Sequence, residues 1–509
     1  MNKILCGIIF LFLVNSCKAE RPAATGSPSD SVRQPVFADK FYSADSTKLS
    51  NAIKAFLTDA KTPKMDHPVA IIVPHAGYIF AGQIMADGYN QIRNNKYELI
   101  VILGTNHATP GFTGISVYPK GAFGTPIGAA VVDDKAADEL MKEDPDVTAN
   151  LAVHAQEHSI EVQVPFIKYL FPHTKILPII VGEPDIKMCT KFGKVLAKIL
   201  QDKKYLIVAS SDLSHYPRFD DAITVDNKTL KTIVSLDMDE IRSGMEGELD
   251  DNIPQLVTCA CGEAPILAAI ATAKALGANC ASIVSYSNSG YNPVGTSDRV
   301  VGYGAVAIGV GKSATPADPD TLVVNPSYKL SSSDKAALLK YARKTLEQFF
   351  SSATVPLPRG LNSLLKVKRG AFVTLNEHGE LRGCIGQMRE DRPLCTVVGS
   401  MALQAAFNDA RFKPLSEQEL PQVEIEVSVL TPFTQVNSAD EIVLGRDGVI
   451  VRKGDKQAVF LPQVATETGW SKDEFLDQLC RKAGLEAGDW KDAELFTFQA
   501  DVFSDSQYH

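Results

Sequence analysis

The nine cysteines of this 509-residue chain include no CxxC pair and no zinc-finger spacing. At that dilution they exclude a disulfide-stapled scaffold and leave any cysteine chemistry to single sites. Positive charge is in deficit, with 51 Lys plus Arg against 60 Asp plus Glu and a net charge of -9. Such a balance offers no basic surface for phosphate contacts, so nucleic acid is not an expected partner. No apolar run reaches the ~18 residues of a membrane-crossing helix. No internal repeat is present either, which excludes solenoids and propellers. What remains is an ordinary globular composition, 45% hydrophobic and 22% charged with 35 Gly and 28 Pro, which argues against collagen, coiled coil and wholesale disorder. At ~150 residues per domain the length predicts about three domains or two large ones.

The longest apolar run, residues 4–14 (ILCGIIFLFLV), follows a single lysine at position 3. At ~1.5 Å per residue it is too short for ~30 Å of hydrocarbon, and it reads as an export signal. Residues 13–17 (LVNSC) resemble a bacterial lipobox, with Cys17 as the lipidated first residue of the mature chain. The expectation is an exported protein, lipid-anchored to a bacterial membrane and facing the periplasm or the exterior. An ordinary signal peptide and a cytosolic protein with an apolar start are the alternatives. Residues 18–34, rich in Pro, Ser, Ala and charge, read as a flexible tether.

A second Pro-, Ser- and Asp-rich stretch, residues 313–332, marks a linker between domains at 35–312 and 333–509. In the first, continuous apolar runs at 69–73, 99–103, 176–181, 205–209 and 300–308 predict buried strands. Helical spacing at 136–141, 195–200 and 265–276 lies between them, which together predicts an α/β sheet covered by helices. The second region opens with a helix over about 333–350. Hairpins at 371–375 with 381–385 and at 449–452 with 458–461, and helices near 396–408 and 472–482, predict a smaller α+β domain.

Residues able to bind metal or move protons fall at the ends of the predicted strands. His75 follows VAIIVP, His107 follows LIVILGTN, and Asp212 and His215 follow YLIVAS. Ligands of open α/β sheets bind beyond the strand C-termini, where separate strands can deliver side chains to one place. Seven of the nine histidines lie between His67 and His215, among them His154 and His158 in HAQEH with Glu161 just beyond, and Cys261 stands in CACGEAP.

PHAGYIFAG at 74–82, ILGTNH at 102–107, TPIG at 125–128, EHSIEVQVPF at 157–166, SSDLSHY at 210–216, CGEAP at 261–265 and VVGYGA at 300–305 resemble the Memo family. That family is similar in fold to class III extradiol dioxygenases, which hold non-haem iron by two histidines and a carboxylate. The resemblance implies His75, His107 and Cys261 as metal ligands, with Asp212 and His215 lining the pocket as catalytic residues. Cys261 stands where the dioxygenases place glutamate. A thiolate with two imidazoles suits iron, copper or zinc and leaves an open coordination position; the resemblance to the iron-holding dioxygenases implies iron first. With a redox-active metal, His215 acts as acid or base near neutral pH while Asp212 fixes its tautomer; with zinc the site is hydrolytic.

In the second half LRGCIG at 381–386, AFNDARF at 406–412 and VFLPQVA at 459–465 resemble the AMMECR domain. Cys384 beside the cation of Arg382 is a candidate activated thiol; the plainer reading is a tight glycine-lined turn of backbone with Cys384 as filler. Both resemblances together imply parts B and A of the AmmeMemoRadiSam system fused in one chain, with a functional link to a protein resembling a radical S-adenosylmethionine enzyme. An exported lipoprotein could not meet a cytosolic partner, so one of those two expectations must give. The function expected is that of a metal-binding protein of extradiol dioxygenase ancestry, an oxidoreductase on a small molecule. A non-enzymatic metal- or peptide-binding protein and thiol chemistry at Cys384 are the alternatives.

Overall fold

The computed structural model describes residues 32–311 and 329–508. The expected leader with Cys17, most of the expected tether and most of the linker lie outside the described residues. In the N-terminal half eight strands form one sheet, in the order Cys280–Asn288, Gly302–Gly309, Pro68–Val73, Tyr205–Ser210, Leu99–Thr105, Lys175–Val181, Ile115–Val117, Val147–Thr148. The four central strands run parallel. Gly302–Gly309 and Ile115–Val117 pair antiparallel against them on either side.

Both faces are covered, which is why the central strands read as unbroken apolar runs. Ile71, Val73, Ile100, Ile102, Leu206 and Val208 pack under helices Ser46–Thr58, Tyr78–Asn90 and Val164–Leu170. Ile72, Val101, Leu103, Ile207 and Ala209 pack on the other side under Ile186–Leu200, Phe219–Ile233, Met238–Asp250 and Glu263–Ala275. All five predicted strands form, and the three predicted helical stretches fall within Asp134–Glu143, Ile186–Leu200 and, but for its C-terminal cap, Glu263–Ala275. Helix Tyr78–Asn90 carries no apolar stripe because nearly every residue in it is buried, so it lacks the one-sided pattern by which surface helices are read.

The C-terminal half begins with helix Ser332–Ser352. Both predicted hairpins form, Ala371–Glu377 with Glu380–Gln387 and Gly448–Lys453 with Lys456–Phe460. Each belongs to its own four-stranded sheet. The first runs Glu380–Gln387, Ala371–Glu377, Val423–Leu430, Ala500–Ser504, and packs under Ser332–Ser352 and Leu394–Phe407. The second runs Thr434–Val436, Glu494–Phe498, Gly448–Lys453, Lys456–Phe460, and packs against Lys472–Lys482.

The halves meet along a mixed seam, where Ile79 packs on the C-terminal core and Leu357 on the cluster of Ala81, Ile84 and Tyr303, with ion pairs beside them. Lys368 pairs with Asp220 at 2.6 Å, and Arg359 of the C-terminal half grips Asp87 of the N-terminal half with both guanidinium nitrogens, Nη1 to Oδ1 at 2.8 Å. The Asp87 side chain is 0% exposed. A carboxylate so buried needs a paired cation, and that cation comes from the other half.

Candidate metal centre

Parallel strands end together, so loops leaving Pro68–Val73, Tyr205–Ser210 and Leu99–Thr105 rise from one edge of the sheet. His75, Asp212 and His107 stand on those loops, two residues past their strands. Cys261 arrives from elsewhere, directly before the Gly262 cap of helix Glu263–Ala275. A Cβ on Gly262 would lie 2.5 Å from the Ser210 carbonyl oxygen and 2.6 Å from Ser211 Cβ. Only glycine admits this approach, and the Gly262 N–H uses it to donate to Ser211 Oγ at 2.9 Å.

The donor atoms of His75, His107 and Cys261 lie within 4.8 Å of one another, as do those of Asp212, His215 and Cys261. Cys261 Sγ is 3.1 Å from His75 Nε2. The His75 tautomer follows from its surroundings. Ser210 Oγ donates its one proton to the Ser159 carbonyl at 2.6 Å and accepts from Gln163 Nε2 at 2.8 Å. Gln163 is oriented in turn, donating to the Pro74 carbonyl and accepting from Tyr89 at 3.1 Å. A hydroxyl has one proton to give, so the His75 Nδ1 contact at 3.1 Å to Ser210 Oγ has its proton on the imidazole. Nε2 is then a bare lone pair directed at the sulfur.

His107 is set the same way by a carboxylate. Its Nδ1 lies 3.0 Å from Glu157 Oε1 and its backbone N–H donates to Oε2 at 2.6 Å. Burial works to raise the Glu157 carboxyl, but hydrogen bonds from His107 and Ser159 outweigh it and hold the group at about 2. An ionised Glu157 accepts the Nδ1 proton, and Nε2 of His107 is freed as well. Neutral imidazoles oriented by a hydrogen bond at the far nitrogen are the usual form of metal-bound histidine.

His75 is buried, and burial, with His158 and His107 nearby, keeps it well below the ordinary histidine value. Burial also pushes the Cys261 thiol well up, with the Asp212 carboxylate adding to the effect. Without a cation the thiol proton stays on sulfur; a bound cation reverses that balance by taking the thiolate.

Asp212 and His215 lie beside the three. Asp212 Oδ1 accepts the backbone N–H groups of His75 at 2.7 Å and Ala76 at 3.1 Å, and burial raises the carboxyl to about 6. Its Oδ2 is 4.0 Å from His215 Nε2. That exceeds a hydrogen bond, so the expected tautomer-fixing role of Asp212 is not made in this geometry; the carboxylate braces the His75 loop instead. His215 Nε2 is buried without a hydrogen-bond partner among the described residues. Burial, then His107 and His158, lower its pKa to about 4. It is neutral at physiological pH and too weak a base for the acid–base role near neutral pH expected of it; its unpartnered Nε2 is a hydrogen-bond acceptor.

His158 and Glu157 were visible in the HAQEH run without an assigned place. The His158 ring stacks on His107 at 4.5 Å between centroids and meets His75 edge-on at 5.2 Å, while Phe41 packs on it at 4.8 Å. Glu161 accepts from Arg33 at 2.5 Å, Tyr42 at 2.8 Å and the Phe37 N–H at 2.7 Å, and so ties the N-terminal segment carrying Phe37 and Phe41 to this rim. His154 is buried, with Nε2 3.2 Å from Ser116 Oγ and its ring edge-on to Tyr118, and belongs to neither group of donor atoms. The Cys259 thiol is a lone buried group facing Met245 O and Glu248.

Cys384 stands apart, on strand Glu380–Gln387 of the C-terminal half. Arg382, expected to stabilise its thiolate, is spent on Glu419, Nε to Oε1 at 2.9 Å. The Cys384 N–H donates to Asp409, which Arg411 holds at 2.7 Å, and Thr374 donates to the sulfur at 3.3 Å. A Cβ on Gly383 would meet the Ala405 carbonyl oxygen at 2.3 Å, so the glycine of LRGCIG serves close packing of strand on helix.

Comparison with known proteins gives a family model described as Memo-like protein matching residues 33–307, and a second, AMMECR1, matching 339–503. A MEMO1 family protein of Methanobrevibacter smithii is 34% identical over 285 residues, 53% of this chain and 98% of that one. A MEMO1 family protein of Thermoplasma volcanium is 32% identical over 276 residues, 54% of this chain and 97% of that one. Among solved structures, an uncharacterized protein of Pyrococcus horikoshii shares 34% identity, covering 34% of this chain and 93% of its own, with a TM-score of 0.32.

Proposed function

We propose that this chain, which belongs to the Memo-like family and carries an AMMECR1 domain behind it, uses the cleft at the sheet edge as a metal centre. His75 Nε2, His107 Nε2 and Cys261 Sγ hold the ion. The observation that carries the reading is the pair of oriented imidazoles, each with Nδ1 committed to a hydrogen bond, whose donor atoms lie within 4.8 Å of each other and of Cys261 Sγ. Two imidazoles and a thiolate suit iron, copper or zinc, and the dioxygenase ancestry makes iron the first choice; when bound, the ion supplies a Lewis acid and, for iron or copper, one-electron chemistry.

The chain's own residues do the rest. Glu157 and Ser210 keep both imidazoles in the ligating tautomer. Asp212 holds the His75 loop by two backbone bonds. His215, neutral and with Nε2 unpartnered among the described residues, offers that nitrogen as a hydrogen-bond acceptor to a small molecule lodged against His107, the most exposed of the three ligands. The reading is of an oxidoreductase of extradiol dioxygenase ancestry acting on a small molecule, with the thiolate in place of the carboxylate.

Metal analysis of protein purified without chelator tests it. About one ion per chain is expected, lost in His75→Ala and Cys261→Ala. Wild-type protein without stoichiometric metal overturns the centre. Bound metal with no oxygen uptake over a panel of oxidisable small molecules overturns the oxidoreductase and leaves a binding protein.

A further inference from the structure

We infer that the C-terminal half is a positioning module for His215, acting through the strap 291–302 that connects the last two strands of the N-terminal sheet. The inference concerns the cleft just described, but its geometry stands without a metal.

The strap touches both halves. On one side Arg392, 6% exposed, donates from Nη1 to the Gly295 carbonyl at 2.6 Å. The Ser297 hydroxyl donates to Asp391 Oδ2 at 2.8 Å, and Thr396 donates to the Tyr291 carbonyl at 3.3 Å. Arg392 Nη2 donates to Gln387 Oε1 at 3.3 Å and Ser400 Oγ at 3.4 Å in its own half, so a buried guanidinium held on one side grips a carbonyl of the other half, a strong, directional clamp.

On its other side the strap pairs with the segment carrying His215. Leu213 N–H donates to the Gly302 carbonyl at 2.8 Å and Gly302 N–H returns to Ser214 at 2.9 Å. Tyr216 N–H donates to Val300 at 2.7 Å, Val300 N–H to Pro217 at 3.0 Å, and Phe219 N–H to Ser297 at 3.0 Å. His215 bridges Val301 on this side and Thr258 on the other.

The arrangement matters because Tyr216 sits at φ +76°, a left-handed conformation that a non-glycine residue keeps only where its surroundings enforce it. The strap supplies that enforcement twice, through the Val300 carbonyl and through the Arg299 guanidinium 3.7 Å over the Tyr216 ring. Relaxing Tyr216 would turn the chain at the residue after His215 and move the imidazole away from Asp212. Arg392, Asp391 and Ser297 are thus positioning residues, with no contact to the cleft itself.

Carbethoxylation of individual histidines in metal-free protein, read by peptide mass, tests this independently of any metal. In Arg392→Ala, His215 should react about tenfold faster, as loss of one charge-assisted hydrogen bond allows. His107, held by Glu157 and not by the strap, should keep its rate. Arg392→Lys, whose ammonium can reach the same carbonyl, should restore most of the wild-type rate at His215. Ser297→Ala removes only the Asp391 bond and should give a smaller rise; it decides the matter if Arg392→Ala does not fold. An unchanged His215 rate in the folded variants, or an equal rise at His107, overturns the proposal.

Discussion

The sheet edge around Cys261 and the strand around Cys384 carry similar residues, a cysteine among charged and hydrogen-bonding neighbours, to opposite ends. Around Cys384 each charge is matched locally: Arg382 by Glu419, Asp409 by Arg411 and the Cys384 N–H. Around Cys261 the hydrogen bonds are arranged so that atoms are left over. Ser210 and Glu157 occupy the outer nitrogens of His75 and His107, and His215 Nε2 has no partner among the described residues. Chemistry belongs where polar atoms are oriented but unspent.

The largest effect that would sharpen this contrast is at the seam. Arg359→Ala leaves the buried Asp87 carboxylate without its cation and should cost about 3 kcal/mol in denaturant unfolding, because an unpaired buried charge is far worse than a lost surface bridge. A cost near zero would break the view that the C-terminal half spends its charges on structure. Next, Ser210→Ala should leave the three ligands in place yet weaken metal affinity by about 10- to 100-fold in a competitive titration, since His75 loses the acceptor that fixes its tautomer. Equal affinity would reduce that hydrogen-bond chain to packing.

His154 sharpens the contrast inside one sequence run. Burial, then the charge of Arg33, lower its pKa to about 4, against about 6.5 in the unfolded chain. Unfolded protein therefore binds the extra proton between those values, so the contribution of His154 to stability is full above about pH 6.5 and falls as pH drops towards 4. His154→Gln should remove that part of the acid sensitivity, about 2 kcal/mol near pH 5, with metal binding unchanged. The smallest effect belongs to Cys384→Ala, which removes one weak acceptor from Thr374 and should cost under about 1 kcal/mol, also without touching metal content. Loss of metal in that variant would erase the distinction between the two cysteines.

The central strands were legible because both their faces are buried, and the hairpins because their turns carry Gly379 and Gly454. Strand Val423–Leu430 was equally legible, since VEIEVSVL alternates apolar and polar residues with the period of two of a half-buried strand. Helix Tyr78–Asn90 and the short strands Ile115–Val117 and Val147–Thr148 were not, the first for want of a polar face and the others for length. Of the cleft, the five residues named from the family resemblance do come together. Their support does not show in sequence: Ser210 lies 135 residues from His75 and Glu157 50 from His107, and only folding makes them neighbours. The Arg382 and Cys384 pairing was the reverse error, in which proximity along the chain suggested a partnership that Glu419 has already taken.

The fit of residue 262 also limits how the cleft can be re-engineered. With the main chain there tied by the Gly262 N–H to Ser211 Oγ at 2.9 Å, and no room for a Cβ beside Ser210 and Ser211, the following helix has little freedom to slide for a bulkier donor at 261. A designer restoring a carboxylate would have to rely on the reach of the new side chain alone, choosing its length to match a fixed starting point.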